Sequence, residues 1–258
     1  MNIKPDRLSL NQIKYFSSLL TKKGRKKENK FIVEGKRIVD EALKSNFEIQ
    51  TVIVTTDFVE KNEQLLVKWG ISDKLFLINQ KDFRRISDTK SPQGIAAVVI
   101  NRNVSSKVDI TDKLIVALEN ISDPGNLGTI LRNCDWFGIK HVIINQYCAE
   151  LENPKTIRAS MGALFHLNII DDNDFYSSLS ELKKSGYQII SSDLGGKDIF
   201  KFNRPEKTVV VFSNEAFGPS IDIKNIADYS VTIPRIGNAE SLNVASASAV
   251  ILSQLTKT

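Results

Sequence analysis

The sequence is poor in the residues that cross-link a chain or bind metals. Its two cysteines, Cys134 and Cys148, stand far apart without a CxxC spacing, so neither a disulfide framework nor a zinc site is indicated. Its two histidines, His141 and His166, have no histidine or cysteine at metal-ligand spacing, and no Ser-His-Asp pattern surrounds them. We therefore expect packing or capping roles for both histidines, and no bound metal.

Long apolar runs are also missing. No stretch approaches the roughly 18 apolar residues that span a bilayer, and the N-terminal MNIKPDRLSL lacks the apolar segment of a signal peptide. Hydrophobic residues make up 41% of the 258 residues and charged residues 25%, which is ordinary for a globular protein with a core. These features predict a cytoplasmic protein of one or two domains.

Charge is not strongly of one sign, since the net charge is only +5, but its distribution is uneven. Lys22, Lys23, Arg25, Lys26 and Lys27 lie close together in the N-terminal region. Clustered cations next to an ordered domain are typical of a protein that binds the phosphate backbone of nucleic acid. The alternative is a solvated surface loop, and the sequence leaves both interpretations open.

Strand-like and helix-like segments alternate along the chain. Residues 1–100 contain apolar strands such as FIVEG and TVIVTT and the amphipathic helix KRIVDEALKSN, which predicts a small α/β domain. The polar segment NRNVSSKVD, residues 101–109, is the expected linker. The alternation restarts over residues 110–258, where strands separated by helices predict a parallel sheet with helices on both faces.

Four loops of the second half hold much of its glycine, proline and small polar residues. They are ENISDPGN after residue 119, SSDLGG after 190, SNEAFGPS after 212 and RIGNAESLN after 234. Ligands of open parallel sheets bind outside the carboxyl ends of the strands, which is where these loops are expected. No GxGxxG or GxxxxGK[ST] pattern is present, so the dinucleotide and P-loop interpretations lose their main support.

The first of these loops contributes two candidate polar residues. Asn126 stands where a helix N-cap is expected, and Arg132 lies off the apolar stripe of that helix. An arginine near a helix start suits bidentate binding of a phosphate. The alternative is a surface arginine paired with Asp123 or Asp135.

The last two loops contribute three more candidates with the same ambiguity. Glu215 either accepts backbone N–H bonds within its loop or acts as an acid or base. Ser241 and Asn243 either cap the C-terminal helix or contact a substrate. Pro234 and Gly237 exclude regular structure just before that helix.

Three sequence blocks resemble a known family. NISDPGNLGTILR, VVVFSNEAFGPS and IPRIGNAESLNVASASAVIL are similar, in order and spacing, to motifs one, two and three of the SpoU (TrmH-like) RNA 2′-O-ribose methyltransferases. The likeness extends over residues 113–255. FIVEGKRIVDEAL and SPQGIAAVV in the first hundred residues resemble the substrate-binding domain of many members, an α/β sandwich similar to certain ribosomal RNA-binding proteins.

The resemblance implies a SPOUT fold, in which the C-terminal segment forms a deep trefoil knot. It also implies S-adenosylmethionine as the methyl donor, RNA as the substrate and a homodimer as the working form. By motif position, the expected active-site residues are Asn126, Arg132, Glu215, Ser241 and Asn243. Backbone contacts to the methyl donor are expected at Leu194, Ser213, Gly218, Ile233, Gly237 and Leu242.

Motif two departs from the family pattern. Ser213 and Ala216 replace usual glycines and Pro219 replaces a usual aliphatic residue, so we expect a modestly reshaped donor pocket. The interpretation is an RNA ribose methyltransferase, with ribosomal RNA favoured over tRNA because a separate N-terminal domain is present. The alternatives are an inactive RNA-binding protein of the same fold and a nucleotide-binding enzyme of ordinary doubly wound type.

Overall fold

The computed structural model describes residues 5–101, 112–214 and 216–257. Within these ranges the chain forms two compact units. The first contains residues 5–101 together with Glu152–Phe165, and the second contains residues 112–151 and 166–257. The two units are therefore not two uninterrupted stretches of sequence. Of the expected linker, residues 102–109 lie outside the described residues.

A mixed five-stranded sheet forms the centre of the first unit. Its strands are β1 (Asp6–Arg7), β2 (Lys30–Glu34), β3 (Ile49–Thr55), β4 (Leu75–Ile78) and β5 (Ile95–Ile100). The order is β1-β4-β3-β5-β2, in which β1, β4 and β3 run parallel and β5 is antiparallel to both of its neighbours. Strands β3 and β5 are buried almost throughout, which explains their aliphatic sequences.

Five helices come from the same stretch of sequence. They are α1 (Leu10–Ser18), α2 (Lys22–Glu28), α3 (Lys36–Lys44), α4 (Thr56–Trp69) and α5 (Gln80–Phe83). The clustered cations do not lie in a loop, because they form helix α2. Thr21 caps this helix by accepting a hydrogen bond from the Gly24 N–H at 3.1 Å. A Cβ at Gly24 would lie 2.0 Å from the Ser18 carbonyl oxygen, so glycine permits the close approach of α2 to the end of α1.

A parallel sheet of six strands forms the second unit. Its strands are β6 (Leu114–Glu119), β7 (His141–Asn145), β8 (Asn168–Asp172), β9 (Gln188–Asp198), β10 (Thr208–Ser213) and β11 (Tyr229–Thr232). The order is β11-β9-β10-β6-β7-β8, and every pairing is parallel. After β6 the chain adds β7 and β8 on one side and β9 to β11 on the other. The carboxyl ends of β6 and β10 therefore mark a topological switch point, the usual place for a ligand in such a sheet.

Five helices follow β6 in the sequence: α6 (Pro124–Trp136), α7 (Pro154–Ser160), α8 (Phe175–Lys184), α9 (Ile221–Ile226) and α10 (Val244–Leu255). Helix α7 belongs to the first unit and has only 7 residues. It ends because Met161 and Gly162 adopt left-handed conformations, with φ of 53° and 100°. Helix α10 buries an apolar stripe that includes Val244, Ile251 and Leu255.

The SSDLGG segment, expected as a loop, lies within strand β9. β9 pairs with β11 on both sides of an irregularity, with Ser191 opposite Ser230 and Lys197 opposite Val231. A Cβ at Gly196 would lie 2.5 Å from the Val231 backbone. The glycine therefore allows β11 to approach closely, and the register shift leaves residues 192–196 of β9 without a partner on β11.

Among the described residues, no helix is both long and apolar enough to cross a membrane.

Candidate active site

A cavity of about 490 Å³ lies at the carboxyl edge of the second sheet. Residues 192–194 of β9, residues 213–214 and 216–219 after β10, and most of residues 232–242 after β11 form its walls. Helix α10 contributes Val244, Ala247 and Ile251. Three of the four segments selected from the sequence therefore meet at one cavity. The fourth, after β6, does not line it.

The residues expected to contact the methyl donor all line this cavity. They are Leu194, Ser213, Gly218, Ile233, Gly237 and Leu242. The structure brings together residues up to 48 positions apart because parallel strands end at one edge of the sheet. Gly218 has φ of 64°, a left-handed conformation that the loop after β10 requires at this position.

Large apolar side chains are exposed around the cavity. Leu194 is 70% exposed, Phe217 89%, Ile236 101% and Leu242 51%, and all four line the same cavity. Exposed apolar groups that converge on one cavity indicate a ligand or partner surface. Asp193, Arg235 and Glu240 add charges of both signs to the same walls.

Two expected active-site residues meet at the start of α10. The Asn243 side-chain N–H donates to Asn126 Oδ1 at 2.9 Å, although the two residues are 117 positions apart. Asn243 Oδ1 accepts from the backbone N–H of Ala245 at 2.9 Å, so Asn243 is the N-cap of α10. Ser241 is exposed and lines the cavity, but it is not the cap. Asn243 thus acts both as a cap and as a contact of motif one.

The expected capping role of Asn126 is wrong. Asp123 is the N-cap of α6, and its Oδ1 accepts a hydrogen bond from the Asn126 backbone N–H at 2.9 Å. Pro124 follows at the first helical position, where its missing N–H costs nothing. The side chain of Asn126 is therefore available for its bond to Asn243.

Arg132 is exposed on α6 and does not line the cavity. In the part of the chain that the structure describes it has no ion pair, because Asp135 pairs with His166 at 2.9 Å and Asp123 caps the helix. The alternative, in which Arg132 pairs with Asp123 or Asp135, is therefore not observed. Its neighbour Asn133 donates to the Ala245 carbonyl and Ser248 Oγ, both at 2.9 Å, which fixes α6 against α10.

Glu215, the expected motif-two acid, lies outside the described residues.

A buried carboxylate beneath the cavity was missed in the sequence. Glu119, the last residue of β6, is 1% exposed. It accepts hydrogen bonds from Tyr176 Oη at 2.7 Å, Ser213 Oγ at 2.8 Å and the Ser220 N–H at 3.2 Å. The loop after β10 is thereby held at both ends by one carboxylate. The only sequence signal was an acidic residue at the end of the aliphatic strand LIVALE.

A strained residue follows Glu119 and was also missed. Asn120 has φ of 58°, which costs a non-glycine residue about 1 kcal/mol. Asn145 offsets this cost through two hydrogen bonds with Asn120, at 2.8 and 3.0 Å. Asn214 donates to the Asn120 carbonyl at 3.1 Å. The network joins the loops after β6, β7 and β10.

The cysteine thiols are held neutral by their surroundings. Burial raises the pKa of the Cys148 thiol to about 11, and burial also raises the pKa of Cys134 well above its ordinary value. Neither forms a disulfide. Within the described ranges there is no group of three or more His, Cys, Asp or Glu residues that could hold a metal ion.

The basic residues of α2 form a separate candidate surface. Lys22, Lys23, Lys26 and Lys27 are exposed. Arg25 differs, since it is 7% exposed and its Nη1 donates to the carbonyl oxygens of Leu19 and Leu20 at 3.3 and 2.9 Å. We therefore remove Arg25 from the expected phosphate-binding set, because its guanidinium is used to close the end of α1.

Comparison with known proteins agrees with the motifs. Residues 113–253 match the model of the SpoU rRNA Methylase family. The chain belongs to this family. In addition, residues 11–97 match the MRM3-like substrate binding domain. This SpoU family member thus combines the parallel-sheet unit that carries the cavity with an N-terminal substrate-binding domain of a known type.

Relatives of this SpoU family protein are similar along nearly its whole length. The chain is 30% identical over 245 residues to the 23S rRNA (guanosine(2553)-2′-O)-methyltransferase RlmP of Bacillus subtilis, covering 95% of both chains. It is 25% identical to the SpoU methyltransferase AviRb of Streptomyces viridochromogenes, solved with AdoMet, with a TM-score of 0.82 over 95% of this chain and 97% of AviRb. An AdoMet-bound rRNA methyltransferase from Sinorhizobium meliloti is also 25% identical, with a TM-score of 0.81 over 98% of both chains.

Proposed function

We propose that this protein transfers a methyl group from S-adenosylmethionine to a ribose 2′-hydroxyl of ribosomal RNA. The observation that carries the proposal is the cavity at the carboxyl edge of the second sheet, which all six expected donor-contact residues line. Membership of the SpoU rRNA methylase family and the full-length likeness to RlmP support both the reaction and the class of RNA.

The chemistry of the cavity fits the methyl donor. Its volume of about 490 Å³ lies within the range of small-molecule sites. The apolar side chains of Leu194, Ile236 and Leu242 suit an adenosine, and the mixed charges of Asp193 and Arg235 suit an amino-acid end group. When bound, the donor supplies an electrophilic methyl group on a sulfonium.

The remaining chemistry is positioning and charge stabilisation by the protein. An in-line displacement gains several kcal/mol from correct orientation alone. Asn126, Ser241 and Asn243 orient the 2′-hydroxyl, while Glu215 holds the loop after β10. Arg132 binds the neighbouring phosphate and stabilises the developing alkoxide. A guanidinium with a pKa above roughly 12 is a poor base, so we assign loss of the proton to phosphate or water rather than to Arg132.

The first unit is proposed to bind the RNA. Its match to the MRM3-like substrate binding domain and the four exposed lysines of α2 support this role. A separate RNA-binding domain favours a large folded RNA, and we therefore propose ribosomal RNA over tRNA. Mapping 2′-O-methyl groups in both RNAs from a strain lacking the protein tests this choice. Work on ribosomal RNA also implies a cytoplasmic location, which cell fractionation tests.

The working form is proposed to be a homodimer. The 82% exposed Trp136 at the end of α6 supports a partner surface on this helix. A dimer would also bring Arg132, which does not line the cavity of its own chain, to the cavity of the partner.

The C-terminal segment is proposed to form a trefoil knot, as the resemblance implies. Supporting features are the cavity walls built from residues 232–242 and the small residues along α10, which suit close backbone approach. A crystal structure in which α10 passes outside the loops that follow β9 and β10 would contradict this proposal.

Isothermal titration calorimetry with S-adenosylmethionine, followed by transfer of radiolabelled methyl groups to unmodified ribosomal RNA, tests the function. We expect donor binding and transfer. Binding without transfer to any ribosomal RNA or tRNA would instead support the inactive RNA-binding protein.

The same two measurements test the role of Arg132. Because Arg132 is assigned to the RNA phosphate and the developing alkoxide and not to the donor, Arg132→Ala should reduce transfer at least about 100-fold, the range of removing one charge-stabilising group, and leave donor affinity almost unchanged. Arg132→Lys keeps the charge but loses the bidentate geometry, so it should recover only part of the rate. An equal loss of donor binding and transfer would show that the assignment is wrong.

A further inference from the structure

A second cavity, of about 540 Å³, lies beside the first. Its lining residues are Asn120, Ser122, Tyr147, Asn214, Phe217, Gly218 and Ser220. Three of them, Asn214, Phe217 and Gly218, line the first cavity as well. A group bound in the second cavity is therefore close to whatever occupies the first.

Two exposed aromatic rings belong to this second cavity. Tyr147, which follows β7, is 65% exposed, and Phe217, in the loop after β10, is 89% exposed. Aromatic rings at a surface cavity are the usual platforms on which unpaired bases of RNA stack. Stacking accepts any base, because every base has a flat π face.

Polar groups next to the rings can bind the edge of a base. In the described part of the chain, the Asn120 side-chain amide N–H groups and the Ser122 hydroxyl have no hydrogen-bond partner. An amide and a hydroxyl can pair with the donors and acceptors on a base edge.

The cavity is held in shape before any ligand binds. Asn120 keeps its left-handed conformation through the hydrogen bonds of Asn145, which is 3% exposed, and of Asn214. Strained residues fixed by their surroundings are frequent at binding sites. A preformed cavity avoids the ordering cost that a flexible loop would add to binding.

We propose that the second cavity binds the unstacked base of the nucleotide whose ribose is methylated. The inference rests on the proposed function, because the reacting 2′-oxygen must reach the methyl group in the first cavity. The base of that nucleotide then lies close to the methyl group, beside Asn214, Phe217 and Gly218, which line both cavities. Enzymes that turn a nucleotide out of its stack bind the exposed base by stacking and by hydrogen bonds to its edge.

The lining of the cavity does not favour other occupants. None of its seven residues is charged, so a phosphate group or an acidic peptide would find no cation there. The cavity of about 540 Å³ also suits one base and its sugar better than a protein segment.

Substitution of Tyr147 tests the second cavity alone, because Tyr147 lines the second cavity and not the first. For Tyr147→Ala we expect kcat/KM for unmodified ribosomal RNA to fall at least about fivefold, the lower end of the loss from removing one base–aromatic stack. The Kd for S-adenosylmethionine should stay the same. Tyr147→Phe restores the ring and should recover most of the loss. Phe200→Ala, an exposed ring that lines neither cavity, is the control.

A second measurement is independent of methyl transfer. Single-stranded RNA containing 2-aminopurine is titrated with the full chain, and stacking on Tyr147 should quench its fluorescence. Quenching that is lost in Tyr147→Ala and kept in Phe200→Ala shows that the second cavity binds an unstacked base. If no methyl group is transferred in the same preparation, the proposed function fails while base binding in this cavity stands.

Three results would overturn the inference. The first is equal kcat/KM and equal quenching for Tyr147→Ala and the wild-type chain. The second is a parallel loss of donor affinity, which would make Tyr147 part of the donor cavity. The third is normal transfer to naked ribosomal RNA with weakened binding to ribosomal subunits, which would assign the cavity to a ribosomal protein.

Discussion

At the scale of single residues, Glu119 explains how motif one and motif two are held together. A buried carboxylate costs free energy unless its oxygen atoms accept hydrogen bonds. Here Tyr176, Ser213 and the Ser220 N–H supply three. The loop after β10, which lines both cavities, is thus fixed by these hydrogen bonds.

Tyr176→Phe tests this network. Loss of one hydrogen bond to a carboxylate should lower the free energy of unfolding by about 1–2 kcal/mol, the lower part of the usual range because Tyr176 is only partly buried. Burial, and then the hydrogen bond to Glu119, raise the pKa of Tyr176 from 10.0 to about 12. A pKa raised in the folded state means that this stabilisation is complete below pH 10 and is lost as the pH rises towards 12.

Urea unfolding of Tyr176→Phe and of the wild-type chain between pH 7 and pH 12 measures both effects. The difference in stability should be constant up to about pH 10 and then shrink. Tyr147→Phe removes a phenolic hydroxyl from an exposed side chain and should leave stability unchanged. A difference that persists at pH 12, or none at pH 7, would contradict the proposed role of Tyr176.

The residues of the candidate site differ in how far the sequence predicted them. The motif resemblance pointed to Asn126 and Asn243, and their bond at 2.9 Å brings them together. Asn120 and Asn145 were missed because a left-handed asparagine and a buried amide partner leave no periodic signal. The partners of Asn120 come from the end of β7 and from the loop after β10, so only the sheet order makes the network visible.

At the scale of elements, α2 changes the interpretation of the basic cluster. A helix fixes the direction of each side chain, so its residues are not equivalent. Gly24 and Arg25 are buried, whereas Lys22, Lys23, Lys26 and Lys27 are exposed. The exposed lysines are thus presented on a rigid element, which lowers the cost of ordering them against RNA.

Replacing those four lysines by glutamine tests whether α2 contacts RNA. For single-stranded nucleic acid, each phosphate contact contributes about 0.7 to the slope of log K against log salt. Loss of four contacts should therefore make this slope shallower by up to about three. The matched control replaces four other exposed lysines by glutamine and so removes the same charge. They are Lys61, Lys68, Lys81 and Lys184, on α4, α5 and α8. Filter binding at several salt concentrations gives both slopes.

Equal changes of slope in the two quadruple variants would mean that only net charge matters. An unchanged slope in the α2 variant would support the solvated-surface interpretation of the lysines.

At the scale of the whole molecule, the proposed dimer connects Arg132 with the cavity. Helices α6 and α10 pack together through Asn133, and Trp136 at the end of α6 remains 82% exposed. An exposed tryptophan is expensive in water unless a partner covers it.

Trp136→Glu should therefore weaken the dimer, because a buried carboxylate without a partner is strongly unfavourable. Light scattering after size exclusion should give the wild-type chain a mass of twice 28.9 kDa and the variant a mass nearer to 28.9 kDa. Val67→Glu, at a half-exposed apolar position of α4, should remain dimeric. A wild-type chain that is monomeric at micromolar concentration would contradict the proposal.

The sequence by itself determined the alternation of strands and helices, the parallel sheet of the second half and the three motifs. These features depend on local periodicity and on short runs of residues, which are readable without knowing what lies next to them. The tertiary structure decided which loops meet at one cavity, that Arg25 is buried while its lysine neighbours are exposed, and that Glu119, Asn120 and Asn145 form the base of the site. Those features depend on contacts between residues far apart in the chain, and strand order and register create such contacts only when the sheet assembles.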